Sequence, residues 1–236
     1  MLKKFFPNRI ISISNKLITG LLLIMILILI VGIIFSLFIS PIDHIQGHSV
    51  RIMYVHVPSS FIALGCFAFI GIASISILIF KIKYLPLIAK SLAPIGIVFT
   101  LVSIITGSLW GKPTWGVWWA WDARLTSMLI LFFFYAAYIL VWKYIHNYEK
   151  AKKISSIIAI IGLFNLPVIK YSVDWWSTLH QPSSITFTSA PTIHYSMLIP
   201  LLIMLIGLAI YAFTIFLIRY KTELMKLKIN NKKNNK

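Results

Sequence analysis

Acidic residues and cysteine are scarce in this sequence. Only 5 of its 236 residues are Asp or Glu, against 22 Lys or Arg, and the formal net charge is +17. Its one cysteine, Cys66, excludes an intrachain disulfide. Because Cys66 lies inside an apolar stretch, we expect a small buried side chain rather than a reactive thiol.

Charged residues of either sign are also few. They make up 11% of the chain, and 59% of the residues are hydrophobic, whereas soluble domains carry about 25% charged residues. The mean hydropathy is +0.91. A chain this apolar cannot hide its surface from water by folding on itself, so we exclude a soluble domain and a disordered basic protein. Lipid is the expected solvent.

Six apolar stretches are long enough to cross a bilayer, for which about 20 residues are needed. Backbone polar groups within lipid must bond inside each segment, so we expect helices. The fold class predicted is all-α integral membrane, with one polytopic domain over residues 1–236. The first stretch ends at Ser40-Pro41 without a small-residue cleavage pattern, so we interpret it as a retained helix. The Asn- and Lys-rich residues 228–236 are predicted to be disordered. The predicted spans are 17–39, 54–80, 91–109, 125–145, 154–173 and 195–219.

Basic residues are concentrated on one side of these spans. Eighteen of the 22 Lys and Arg residues fall in the N-terminus, the second and fourth connections and the C-terminal tail. Cytoplasmic loops carry such an excess, so both termini are predicted to be cytoplasmic. We expect an inner-membrane protein. The charge is then explained by membrane topology and lipid headgroups rather than by nucleic acid.

The outward side holds seven of the eight tryptophans, most of them in a tryptophan-rich loop between the third and fourth spans. As a helix, Trp115, Trp118, Trp119 and Asp122 would share one face. An interfacial aromatic belt is the alternative, but it does not readily explain five tryptophans, with Trp121 and Trp110, in twelve residues. A flat, polarizable ligand such as haem stacks well on indole rings.

Two outward histidines are candidates for axial ligands of haem iron. His56 precedes Pro58 near the start of the second span, where the helix dipole disfavours imidazolium and so favours the neutral form that ligates iron. His180 lies in the third outward loop and could meet His56 across the mouth of the bundle. No Cys-x-x-Cys-His motif is present, so haem would not be attached covalently to this chain in the c-type manner.

The remaining outward histidines are weaker candidates. His44 and His48 are spaced i, i+4, but Pro41 and Gly47 argue against a helix there. His194 could be a spare ligand.

Cations on the outward side suit the haem propionates. Arg51 and Arg124 can pair bidentately with a carboxylate, and contact with lipid phosphates is the alternative. Lys112 and Lys170 are weaker candidates. Asp122 could orient a ring nitrogen or pair with Arg124.

The tryptophan-rich segment resembles the signature of the WWD family of haem-handling membrane proteins. Further segments resemble the haem exporter protein C (CcmC) branch of that family, from bacterial cytochrome c maturation. The resemblance covers about residues 40–209. The segments that carry it are Trp115-Gly-Val-Trp-Trp-Ala-Trp-Asp122-Ala-Arg-Leu-Thr126, Arg51-Ile-Met-Tyr-Val-His-Val-Pro58, Ala93-Pro-Ile-Gly96, Thr106-Gly-Ser-Leu-Trp-Gly-Lys-Pro113, Asn165-Leu-Pro167 and Tyr171-Ser-Val-Asp-Trp-Trp-Ser-Thr-Leu-His-Gln181.

That resemblance implies external binding of haem b with His56 and His180 as axial ligands. It implies partners: an ABC transporter pair, a small membrane protein of the same system, and the periplasmic haem chaperone CcmE, which receives the haem. Arg51 and Arg124 would steer that transfer. We therefore expect a haem-binding and delivery protein rather than an enzyme.

Alternatives are a haem transport subunit acting with an ABC transporter, or a haem lyase component. A lyase would need further spans and histidine pairs that this chain lacks. Electron-transfer proteins usually place histidine pairs within the spans, and a secondary transporter needs polar residues at the midplane, which are almost absent here.

Overall fold

The computed structural model describes residues 7–176, 178–181, 184 and 190–233. These residues form helices and connecting segments, with one isolated bridge between Asp43 and Gly47. A π-helical turn, Phe35–Ile39, extends the first helix, and a 3-10 turn, His48–Ile52, leads into the second. The α-helices are α1 Pro7–Ile34, α2 Met53–Phe80, α3 Leu85–Trp115, α4 Ala123–Tyr144, α5 Tyr148–Leu163, α6 Asn165–Trp175 and α7 Tyr195–Lys233.

Six helical stretches within the described residues are long and apolar enough to cross a membrane, as the sequence predicts. Together they confirm the all-helical membrane fold. The fifth consists of α5 and α6, which meet at Phe164. Pro167 lacks the N–H that would bond to the Leu163 carbonyl, so the helix is interrupted there. The six stretches are Lys16–Ile39, His48–Phe80, Leu85–Trp115, Ala123–Tyr144, Tyr148–Trp175 and Tyr195–Ile229.

The predicted helical face through Trp115, Trp118, Trp119 and Asp122 is wrong. Helix α3 continues past the predicted boundary at Leu109 and ends at Trp115, where Gly116 adopts φ 78°. Glycine takes this left-handed conformation without a steric penalty. Residues 116–122 then form an irregular loop, here called the aromatic loop.

Two further boundaries differ from the sequence prediction. Asp174, expected to begin the third outward loop, lies in α6. Helix α7 runs to Lys233, so residues 228–233 of the segment predicted to be disordered are helical, and residues 234–236 lie outside the described residues.

The core of the bundle lies between α2, α3, α4 and α5. Phe67, Leu131 and Tyr135 are fully buried there, and the Tyr135 hydroxyl donates to the Ala63 carbonyl at 2.7 Å. Gly96 is required beside this ring, because a Cβ at that position would lie 2.1 Å from it.

Helices α1 and α7 lie beside this core. Helix α1 packs mainly on α7, and the start of α7 packs on the start of α2 through Leu201, Met204, Met53 and Tyr54. The other end of α7 reaches the start of α3, where Glu223 pairs with Lys90 at 2.6 Å. Helix α7 therefore connects both ends of the bundle.

Candidate functional site

A cavity opens at the end of the bundle where α2 begins, α3 ends and α4 begins. Its volume is about 270 Å³, near the lower end of the roughly 300–1,000 Å³ of pockets for drug-sized ligands. Most of its lining is apolar, and several polar side chains complete it. The lining includes Gln46, Met53, His56, Val57, Ser60, Phe61, Leu64, Ser103, Ile104, Trp115, Trp119, Arg124, Met128, Lys170, Leu179 and His180.

His56 is held on α2 by polar groups of α3. Its Nδ1 lies 3.0 Å from the Ser103 carbonyl oxygen and 3.1 Å from Thr106 Oγ1. The Thr106 hydroxyl donates its own hydrogen to the Val102 carbonyl at 2.7 Å, so it accepts from His56. Both partners are acceptors, so Nδ1 carries the proton and Nε2 keeps its lone pair.

Close packing also fixes the His56 ring. A Cβ at Gly107 would lie 3.0 Å from His56 Cε1, so the absence of a side chain at this α3 position leaves room for the imidazole. Trp110 contacts the ring edge on, with centroids 5.8 Å apart.

His180 reaches the same cavity from the segment after α6. Its Nδ1 lies 3.0 Å from Arg124 Nη1 and 3.0 Å from the Gln181 carbonyl oxygen. Burial, and next the Arg124 cation, lower the pKa of His180 below its ordinary value. The imidazole is therefore neutral at pH 7, the form that binds a metal.

The two imidazoles lie close together in the lining of the cavity. Their ring centroids are 6.4 Å apart and their planes differ by 32°. A metal–imidazole bond is about 2 Å long, so rings on opposite sides of one metal have centroids roughly 6 Å apart. The described residues contain no cluster of three or more His, Cys, Asp or Glu side chains. A pair of imidazoles suits an iron whose other bonds come from a porphyrin.

The tryptophans divide between the cavity and the surface. Trp115 and Trp119 line the cavity, and Trp115 lies 5.9 Å from the His180 ring, centroid to centroid. Trp118 and Trp121 do not line it and are 56% and 77% exposed. Of these four tryptophans, all candidates for contact with a flat ligand, two line the cavity and two are exposed.

Polar contacts hold the aromatic loop at both ends. The Gly116 N–H donates to the Lys112 carbonyl, and Lys112 Nζ donates to the Gly116 carbonyl at 2.9 Å. Ser108 Oγ donates to the Trp118 carbonyl at 2.6 Å. At the far end, Asp122 Oδ1 accepts from the Leu125 N–H at 2.8 Å and caps α4.

Two predicted ligand-contacting residues lie away from the cavity lining. Arg51 belongs to the 3-10 turn before α2, and its Nε is buried without a hydrogen-bond partner in the described part of the chain. Asp122 serves as the N-cap described above. Of the two predicted arginines, Arg124 alone is among the lining residues.

The structure adds residues that sequence reasoning missed or ranked low. Gln46 and Lys170 line the cavity, and Gln46 Oε1 accepts from Trp110 Nε1 at 2.9 Å. Ser103 and Thr106 hold His56. A usable signal was present in the sequence, since Ser103, Thr106 and Gly107 follow helical spacing on one face of α3.

A tight turn presents Gln46 to Trp110. Asp43 Oδ1 accepts from the N–H groups of Ile45 and Gln46 at 2.9 and 2.7 Å. The hydrogen bond from the Gln46 N–H lowers the pKa of Asp43. His44 and His48, in and after this turn, are not among the lining residues, and nor is His194, which bonds to Ser196.

Comparison with known proteins gives one consistent result. The family model described as "Heme exporter protein C" matches residues 2–235. A protein named Heme exporter protein C from Bradyrhizobium diazoefficiens is 36% identical over 225 residues, 95% of this chain and 85% of the relative. One of the same name from Escherichia coli (strain K12) is 42% identical over 178 residues, covering 75% and 73%. A putative cytochrome c biosynthesis ccmC-like mitochondrial protein from Marchantia polymorpha is 46% identical over 166 residues, covering 70% of each chain.

Proposed function

Because the chain belongs to the Heme exporter protein C family, we propose that it binds haem b between His56 and His180 and delivers it for cytochrome c maturation. The proposed recipient is the periplasmic haem chaperone CcmE. The proposed site is the outward face of the bacterial inner membrane. The observation that carries the proposal is the pair of imidazoles that line one cavity, with ring centroids 6.4 Å apart.

The cavity lining supports a porphyrin as the cargo. Apolar side chains such as Ile104 and Met128 suit the ring, and the indoles of Trp115 and Trp119 provide aromatic contacts. Arg124 and Lys170 supply cations for peripheral carboxylates. When haem is bound, its iron takes the two imidazole nitrogens as axial ligands.

Each residue then has a defined task. His56 provides an imidazole whose Nδ1–H is held by α3, so its Nε2 is directed to the iron. His180 provides the opposite imidazole from a segment outside the helices. Arg124 binds a propionate and contacts His180. Trp119, a lining residue, would contact the porphyrin with its indole ring.

The packing below the cavity supports delivery on one face rather than passage through this chain. The same helices are closed there by Phe67, Leu131 and Tyr135, all fully buried. The cavity end is also the end that the distribution of basic residues assigns to the outside. The ABC transporter subunits and the small membrane protein of the same system are proposed as neighbours of this chain in the membrane.

The test is the visible spectrum of detergent-purified protein with added haem. We expect a low-spin six-coordinate spectrum in the wild type, and a high-spin spectrum or lost binding in His56→Ala and His180→Ala. His194→Ala is the matched control, since this exposed histidine is outside the cavity lining, and it should behave as wild type. Equal spectra in the wild type and the two cavity variants would refute the axial ligands.

Delivery needs a separate measurement. Haem-loaded protein is mixed with the purified soluble domain of the chaperone, and transfer of the haem absorbance to the chaperone fraction is followed by affinity separation. Transfer from the wild type that is lost with His180→Ala supports delivery. Haem that stays on the wild-type protein would contradict it.

A further inference from the structure

The two histidines differ in how their tautomers are fixed. His56 Nδ1 contacts two acceptors, so its proton stays on Nδ1 and its Nε2 is free to ligate in every state. His180 Nδ1 contacts one donor, Arg124, and one acceptor, the Gln181 carbonyl. A single ring nitrogen carries either a proton or a lone pair, so it cannot satisfy both partners at once.

Two states of His180 follow from this conflict. With Arg124 donating to Nδ1, the ring proton is on Nε2, which then cannot bind iron. With Nδ1–H donating to the Gln181 carbonyl, Nε2 has its lone pair and can bind iron. The ring passes between the two by losing one proton to water and taking another from it, so its charge is unchanged.

Arg124 has donors to spare for a second partner. Its guanidinium carries five N–H groups, and Nη1 also lies 3.4 Å from the Gln181 carbonyl. The negative charges of Asp122 and Asp174 interact electrostatically with the Arg124 guanidinium. Arg124 nevertheless forms no ion pair with any carboxylate in the described part of the chain. It lines the cavity, so a carboxylate of the cargo can reach it.

We propose that Arg124 is a positioning residue that controls whether His180 can ligate iron, and that a carboxylate on the bound porphyrin releases this control. The proposal rests on the proposed function and deepens it. A porphyrin propionate takes the Arg124 N–H donor from His180 Nδ1. The ring then gives its Nε2 proton to water and takes a proton from water on Nδ1, and the Nδ1–H donates to the Gln181 carbonyl. Nε2 would then have a free lone pair and could become the second axial ligand.

This coupling makes the two iron bonds unequal. The His56 bond depends only on α3, whereas the His180 bond depends on carboxylate recognition. When the propionate leaves Arg124, the guanidinium returns to His180 Nδ1 and the second iron bond is lost. Release of the cargo therefore begins at the carboxylate on the His180 side, while His56 still holds the iron.

The test compares two probes on the purified full-length protein: iron protoporphyrin IX and its dimethyl ester, which lacks the carboxylates. In the wild type, we expect the free acid to give a low-spin six-coordinate spectrum. The ester should give a high-spin spectrum, because His56 is then the only histidine that binds the iron. Arg124→Leu removes the donor, so the ester should shift to low spin. Arg124→Lys keeps a cationic donor and should discriminate between the probes as the wild type does.

Several outcomes would overturn the proposal. A low-spin ester complex in the wild type would show that His180 ligates without a carboxylate, and this arm requires no variant. A high-spin ester complex in Arg124→Leu would show that Arg124 does not hold His180 back. Failure of the proposed function looks different, since the free acid would then bind equally well to the wild type and to His56→Ala.

Discussion

At the scale of single residues, the site depends on hydrogen bonds made behind the imidazole ligands. His56 reaches the cavity from α2, but its tautomer is set by Ser103 and Thr106 on α3. Groups behind a metal-ligating histidine orient the ring and raise its basicity. Haem affinity should therefore respond to residues that do not contact the haem.

Replacing Thr106 by Val should weaken haem binding by roughly tenfold, at the low end of such effects, because the Ser103 carbonyl still accepts from His56. The matched control is Thr100→Val on the same helix. Thr100 also donates to a carbonyl one turn earlier, that of Gly96, but it contacts neither histidine. Haem titration of both variants checks this, and equal losses in the two would point to general destabilisation of α3.

The tryptophans allow a second comparison between residues of one type. Trp119 lines the cavity, and Trp121, whose ring centroid is 5.7 Å from that of Trp119, does not. An aromatic contact contributes about 0.5–1.5 kcal/mol, so Trp119→Ala should lower haem affinity by roughly two- to tenfold. Trp121→Ala should leave it unchanged. A larger loss in Trp121→Ala than in Trp119→Ala, measured by titration, would assign the haem to the exposed side of the loop.

At the scale of elements, the aromatic loop shows what periodicity misses. Helical spacing predicted one face through Trp115 and Asp122, but Gly116 ends α3 and Asp122 begins α4. The local signals were available, since glycine is frequent after a helix end and aspartate at an N-cap. The number of spans was predictable, because each crossing of the membrane needs a hydrophobic run of about 20 residues. Their ends were not, because several helices continue beyond the apolar run, as α3 and α7 do.

Two substitutions of Asp122 can distinguish whether its carboxylate acts as a helix cap or as a negative charge. Asn caps a helix about as well as Asp, whereas Ala costs about 1 kcal/mol. If the cap positions Arg124 and the loop, Asp122→Asn should retain haem binding and Asp122→Ala should weaken it. Haem titration distinguishes the two roles, because both variants remove the negative charge. If the carboxylate interacts with the ligand by its charge, haem binding should weaken equally in both variants.

At the scale of the whole molecule, the proposed haem site lies at one end of the bundle, and an ion-pair cluster that joins three helices lies at the other. The site uses α2, α3, α4 and the segment after α6, and the termini of these helices meet around one cavity. The sequence predicted that His56 and His180 could meet, because the order of the spans puts both residues on the same, outward side of the bundle. It could not place Arg51 outside the lining, because rotation of a turn about its axis depends on tertiary packing.

The opposite end of the bundle contains a buried ion-pair cluster. Glu223 on α7 is 7% exposed and pairs with Lys90 on α3 at 2.6 Å and with Lys226 at 2.8 Å. Lys90 also lies over the Trp142 ring of α4, 5.2 Å from its centroid. These contacts join α3, α4 and α7 far from the histidines.

Replacing Glu223 by Gln should therefore separate stability from haem binding. The substitution leaves Lys90 and Lys226 without their carboxylate, and these side chains are 29% and 62% exposed. The cost should therefore lie between the about 0–1 kcal/mol of a surface pair and the roughly 3–5 kcal/mol of a buried one, and the thermal unfolding temperature should fall. The haem spectrum at low temperature should stay as in the wild type, because no residue of the cluster lines the cavity. Glu149→Gln is the matched control, since Glu149 pairs with Lys152 at the surface and such pairs contribute about 0–1 kcal/mol. A change in the haem spectrum of Glu223→Gln would show instead that the two ends of the bundle are coupled through α3 or α7.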